Sequence, residues 1–139
     1  MLKPTLALAA AFFMAACVAE TGPDLAAPDA FAKSRSGEMT LIDIRTPQEW
    51  RQTGVAEGAL TIDMTRKTFV EELLRAVDGD KDAPIAIICR TGNRTTYTQK
   101  ALQELGFSHV FNVKEGMVGS GAGPGWLRRG LPVESCQTC

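Results

Sequence analysis

The sequence holds a single histidine, His109, and that scarcity removes two classes of chemistry at once. A histidine-rich metal centre lacks its ligands, so no metal site is expected. A Cys-His-Asp relay has no histidine near any cysteine, and His109, placed before an apolar run, reads as structural or surface. An excess of positive charge is also missing. Fifteen Lys and Arg stand against sixteen Asp and Glu, giving a formal net charge of −1, so no nucleic-acid partner is expected. Long apolar runs are absent beyond Thr5–Ala19, which is shorter than the roughly 20 residues a membrane-spanning helix needs. The glycine-rich stretch Gly119–Gly125 lacks the Lys-Ser/Thr that completes a phosphate loop, so it reads as a mobile surface loop and no nucleotide cofactor is implied. What remains is a chain of 139 residues, 45% hydrophobic and 22% charged, enough for one globular domain that needs no metal or disulfide framework to fold.

The N-terminus differs from the rest. Lys3 is the only charge before Glu20, and the apolar run follows it, the order of an export signal. Met14-Ala15-Ala16-Cys17 resembles the bacterial lipobox, in which small residues precede a cysteine that is lipidated and becomes the new N-terminus. On that reading residues 1–16 are a signal peptide, Cys17 carries lipid, and one acylated end tethers the domain to a membrane surface. Ordinary cleavage after Ala16 or Ala19, giving a soluble periplasmic protein, is the alternative. Residues 17–28 are expected to be a linker, 29–135 the domain and 136–139 a short tail.

Within the domain, short apolar runs alternate with amphipathic stretches. Met39–Ile44 reads as a strand, and a short helix starts at Pro47 with Thr46 as its cap. Gly58–Met64 is a second strand candidate. Phe69, Val70, Leu73, Leu74 and Val77 share a helical face opposite Glu71, Glu72 and Arg75. Ile85–Ile88 is a continuous apolar run of the kind buried on both faces of a sheet. A helix over Arg94–Leu105, closed by Gly106, and a strand over Val110–Val113 complete the pattern. Strands alternating with helices predict an α/β fold with a mostly parallel central sheet flanked by helices, and ligands bind at the carboxyl ends of such strands.

Cys89 occupies that position, directly after Ile88. The segment Cys89-Arg90-Thr91-Gly92-Asn93-Arg94 lies between a buried strand and a helix start. Successive backbone N–H groups in such a turn converge on a negative site, the helix dipole reinforces them, and two arginines add full charges. A cysteine in this setting is expected to be a reactive nucleophile rather than an inert core residue.

CRTGNR resembles the active-site loop of the rhodanese family. Leu41-Ile42-Asp43-Ile44-Arg45-Thr46-Pro47-Gln48-Glu49-Trp50 is similar to the family's early segment, Gly54–Ala59 to its G-H-I-x-G-A stretch, and Trp126–Val133 to its W-x-x-x-G-x-P-V ending. Four such pieces in order span about Phe31 to Glu134. The resemblance implies a rhodanese-like three-layer fold and a persulfide relay without a cofactor. Cys89 would take sulfur from a small anionic donor such as thiosulfate and pass it to a thiol or cyanide acceptor. Anion binding would fall to Arg90, Thr91, Gly92, Asn93 and Arg94, with Asp43 and Arg45 supporting the loop. Related phosphatases and arsenate reductases carry one more residue between cysteine and arginine; here four intervene, which favours sulfur. A redox-linked, persulfide-carrying or binding module with little thiosulfate turnover is the other reading.

Cys136-Gln137-Thr138-Cys139 ends the chain with the spacing of a redox half-site. In an oxidising compartment the cysteine arithmetic is tidy: Cys17 lipidated, Cys136 paired with Cys139, and Cys89 free.

Overall fold

The computed structural model describes residues 22–139, so the expected export signal and the expected lipidation site Cys17 lie outside the described residues. Four parallel strands form the centre: β1 (Thr40–Asp43), β3 (Leu60–Thr61), β4 (Ile85–Ile88) and β5 (Val110–Asn112), in the order β3-β1-β4-β5. Because β4 is paired on both sides, by β1 and by β5, all four of its residues are buried, as its unbroken apolar run predicts.

Alternation along these strands sorts side chains into two cores. Ile42, Ile44, Ile85 and Ile87 face α3 (Phe69–Ala76) and α4 (Asn93–Glu104), where Phe69, Leu73 and Leu102 meet them. Leu41, Ala86 and Ile88 face the other way, towards α1 (Ala27–Arg35) and a C-terminal segment carrying Met117 and Trp126. Helices thus cover both faces of the parallel sheet, the fold class expected. Cys89 continues the alternation of Ile85 and Ile87 and belongs to the α3/α4 side.

Two elements had no periodic signature long enough to read. The two-residue strands β2 (Val55–Ala56) and β6 (Val133–Glu134) pair antiparallel and fasten the C-terminal end to the segment after α2 (Pro47–Thr53). The stretch before the expected start of the domain is also engaged with it. Asn112 of β5 donates its backbone N–H to Pro23 O and accepts from Leu25 N, and α1 begins at Ala27 with Pro28 and Asp29 in its first turn. Conversely, Gly58–Met64 contributes only Leu60–Thr61 as strand. Gly58 takes φ +80°, and Asp63 Oδ1 accepts the Thr65 N–H at 2.9 Å, turning the chain away from the sheet. Among the described residues no helix is long and apolar enough to cross a membrane.

Candidate functional site

The site begins with the abrupt change of direction after β4. Cys89 is 1% exposed and is a free thiol. The chain then turns through Gly92, at φ +85°, into α4. This geometry points the Gly92 N–H at Cys89 Sγ, 3.2 Å away. Thr95 Oγ1 lies 3.5 Å from the same sulfur and donates its hydrogen to Gly92 O at 3.0 Å. The amides of Asn93, Arg94 and Thr95 open α4 and have no carbonyl one turn behind them inside the helix, so their dipoles favour negative charge at this end.

The loop is held from behind by backbone. Met117 N donates to Cys89 O at 2.9 Å and Val118 N to Arg90 O at 3.0 Å. Trp126 N and Leu127 N in turn donate to Gly116 O and Met117 O, each at 3.0 Å. Trp126 is fully buried, and its indole donates to Pro132 O at 2.9 Å, so an aromatic anchor fixes the layer on which the loop rests.

A carboxylate that the sequence did not single out organises that layer. Glu115 is 2% exposed; Oε1 accepts the Ala27 N–H at the start of α1 (2.8 Å), and Oε2 accepts the Gly125 N–H (2.7 Å) and Arg129 Nε (2.8 Å). Burial alone would push Glu115 up, but the Arg129 bond and the two backbone donors together hold it below the ordinary carboxylate value. A lone glutamate in the run Val113–Met117 gives no sequence sign of this role. Through Gly125 it also secures the glycine-rich stretch, where Ser120 and Gly123 exchange backbone bonds at 3.0 and 3.2 Å. The stretch is a surface loop, as expected, closed by a bonded turn. Its residues Ser120–Ala122 face Thr91, Gly92, Asn93, Thr96 and Lys114 across a cleft of about 330 Å³. Cys89 does not line this cleft; it lies beneath the loop that does.

The charged residues are arranged differently from a simple cradle of two free arginines. Arg90 is exposed. Arg94 makes a two-pronged bond with Glu49 of α2, Nη1 to Oε2 at 2.8 Å and Nη2 to Oε1 at 2.6 Å. The pairing raises Arg94, chiefly through Glu49 with smaller pulls from Cys89 and Asp43, and lowers Glu49 to about 2, chiefly through Arg94. Glu49 Oε2 also accepts the Thr46 N–H at 3.1 Å, so one carboxylate starts α2 and seats the guanidinium beside the cysteine loop. Asp43 and Arg45 lie at the end of β1, both essentially inaccessible, joined by Arg45 Nη2 to Asp43 Oδ2 at 2.7 Å. Arg45 also donates to Thr53 Oγ1 (2.8 Å) and Gly54 O (2.9 Å), tying β1 to the end of α2. Asp43 pairs in the sheet with Ile88, the residue before Cys89, so this buried pair supports the loop's strand without facing the cleft.

The Glu49–Arg94 bond has a pH signature. Glu49 is depressed in the folded state, so its contribution is complete above the ordinary value of 4.5 and is lost as pH falls through about 2. With both side chains partly exposed, about 1–2 kcal/mol is expected. In urea unfolding followed against pH, the advantage of the parent over Glu49→Gln should shrink across that window and be flat above it.

His109 is exposed, with Nδ1 2.8 Å from Ser108 Oγ, away from the loop. Cys136 and Cys139 form a disulfide with Cα atoms 5.4 Å apart. Among the described residues no group of three or more His, Cys, Asp or Glu could hold a metal ion.

A parallel α/β sheet whose interior strand β4 runs out into a free cysteine, followed by a glycine turn and a helix N-terminus, defines a cysteine-loop domain. Residues 27–121 match the rhodanese-like domain family, and the chain belongs to that family. It is 31% identical over 96 residues to a sulfurtransferase of Allochromatium vinosum, covering 69% of this chain and 78% of that one. It is 26% identical over 118 residues to the thiosulfate sulfurtransferase GlpE of Actinobacillus pleuropneumoniae, covering 85% and 98%. Among solved structures, the polysulfide-sulfur transferase homodimer of Wolinella succinogenes superposes with a TM-score of 0.65 at 27% identity, covering 85% of this chain and 82% of that one.

Proposed function

We propose that the protein is a sulfurtransferase that moves sulfane sulfur from thiosulfate, or a related small anionic donor, to a thiol or cyanide acceptor through a persulfide on Cys89. The observation that carries this reading is the Gly92 N–H held 3.2 Å from Cys89 Sγ at the mouth of a helix. The Cys89 thiolate attacks the outer sulfur of the donor, the donor's S–S bond breaks, and sulfite leaves with the bonding pair. No proton has to be taken from a hydroxyl, so the lack of a histidine base is no obstacle. Negative charge accumulates on the sulfur and on the leaving oxyanion, beside the Gly92 N–H and the N-terminus of α4. Relatives named as sulfurtransferases agree with this chemistry.

A second reading rests on one observation. Arg94 is already neutralised by Glu49, which leaves less charge for a dianionic donor and favours a persulfide carrier with little thiosulfate turnover. Steady-state sulfite release separates the two. The export reading, including lipidated Cys17, is supported by the sequence of the first residues.

With the tail thiols removed by Cys136→Ser and Cys139→Ser, the reduced protein should gain the mass of one sulfur atom on incubation with thiosulfate, and adding Cys89→Ser should abolish the gain. Sulfur retained after Cys89→Ser is added would refute Cys89 as the carrier, and no gain without it would refute thiosulfate as the donor.

A further inference from the structure

The two tail cysteines take no part in the chemistry above, yet the fold does not leave them at a frayed end. β6 pairs Glu134 with Val55 and Val133 with Ala56, so the chain is pinned two residues before Cys136. That anchor lies on the cysteine side of the molecule. Glu134 O packs against Gly54, and the Gly54 carbonyl accepts Arg45 Nη2 at 2.9 Å. The partner of Arg45, Asp43, is paired with Ile88, immediately before Cys89. A second route ends at the same place. Arg51 Nη1 donates to Cys139 O at 2.8 Å, and Arg51 stands on α2, the helix whose Glu49 grips Arg94 in the cysteine loop.

Reach and access complete the argument. Cys139 lies five positions after Glu134, up to roughly 17 Å of extended chain. Cys89 is too buried for a bulky thiol partner to approach Sγ directly, whereas the outer sulfur of a persulfide stands about 2 Å beyond Sγ. A short tether also presents its thiols at an effective concentration in about the millimolar range without any docking surface. Gln137 and Thr138 are exposed, so the tail cysteines are open to reductants in solution.

Resting on the sulfur-transfer reading, we propose that the reduced Cys136–Cys139 dithiol is an in-chain acceptor for sulfur carried by Cys89. One tail thiol attacks the outer sulfur of the Cys89 persulfide. The Cys89 S–S bond breaks, its electron pair and a proton go to Cys89, and the sulfur now sits on the tail. The other tail thiol attacks the tail sulfur that bears it, forming the Cys136–Cys139 disulfide and expelling hydrogen sulfide. One sulfane sulfur is reduced to sulfide as two thiols are oxidised to a disulfide. The disulfide form is then returned to the dithiol by an external dithiol reductant, which makes the protein a sulfane-sulfur reductase fed by that reductant.

The test uses the full chain, reduced, freed of small thiols and mixed with stoichiometric thiosulfate. Sulfite and sulfide are quantified, and peptide mapping locates the added sulfur and any disulfide. The parent is expected to release both ions and end with the tail oxidised. The double variant Cys136→Ser/Cys139→Ser is expected to release sulfite, keep its sulfur on Cys89 and release no sulfide. Once the Cys89 persulfide has formed, the parent's sulfide release should follow first-order kinetics with a rate constant unchanged on dilution. Sulfur that stays on Cys89 of the parent while the tail thiols remain free overturns the tail's role but leaves Cys89 transfer standing. A rate constant for that step that falls on dilution overturns the in-chain route. Failure of the double variant to take up sulfur at all overturns both readings.

Discussion

Gly92→Ala is expected to lose roughly 2–5 kcal/mol of folding stability, about 1–2 from the left-handed backbone and the rest from collision. Gly92 has φ +85°, and a Cβ there would strike the carbonyl oxygen and carbon of Lys114. Neither atom can yield freely, because the next residues, Glu115 to Val118, are bound into the Glu115 hub and the loop's backbone ladder. Gly58 separates the two causes. It has a similar φ of +80°, and a Cβ added there would meet nothing within 4 Å, so Gly58→Ala should show only the backbone share. Urea unfolding midpoints for the two variants give the comparison. Because the Gly92 N–H is the group directed at Cys89 Sγ, Gly92→Ala should also lose most of its sulfur uptake, whereas Gly58→Ala should keep it. Equal losses of stability in the two variants would contradict the collision argument.

Asp43→Asn should cost about 3–5 kcal/mol, since it leaves the Arg45 guanidinium buried without its counter-charge. Arg45 is 1% exposed, and the asparagine amide oxygen, Thr53 Oγ1 and Gly54 O would remain as acceptors for its guanidinium. These neutral acceptors satisfy donors but do not neutralise a charge. Replacing both members by apolar residues of similar size, Asp43→Leu with Arg45→Met, should cost less than the single change, because no uncompensated ion remains. Denaturant unfolding of the two variants checks the order. If the single variant proves the more stable, the pair is not an isolated buried ion pair. Asp43 also sits in register with Ile88, so the single variant should slow persulfide formation by disturbing the strand that delivers Cys89.

The elements legible in the chain are those with enough residues to show a period. β1, β4, α3 and α4 are found within a residue or two of where their apolar patterns place them, and Pro47 opens α2 as its fixed φ favours. Two-residue strands show no period, which is why β2 and β6 could not be read. α1 has a readable start in Pro28 and Asp29 but only a weak apolar stripe, and its first two residues fall in the stretch expected to be linker.

For the site, local sequence determined the position of Cys89 and the form of its loop. A buried run, a glycine requiring positive φ and a helix start are all short-range properties. The pairing of tail cysteines is equally local, because they stand three residues apart. Tertiary structure alone decided the electrostatics. Arg94 meets a carboxylate 45 positions earlier, and Glu115 binds an amide 88 positions away. Charge, unlike periodicity, leaves no trace in sequence of the partner it will meet. The same arginine is a free anion ligand or a neutralised strut depending on what folding brings within about 3 Å, where a charged hydrogen bond forms.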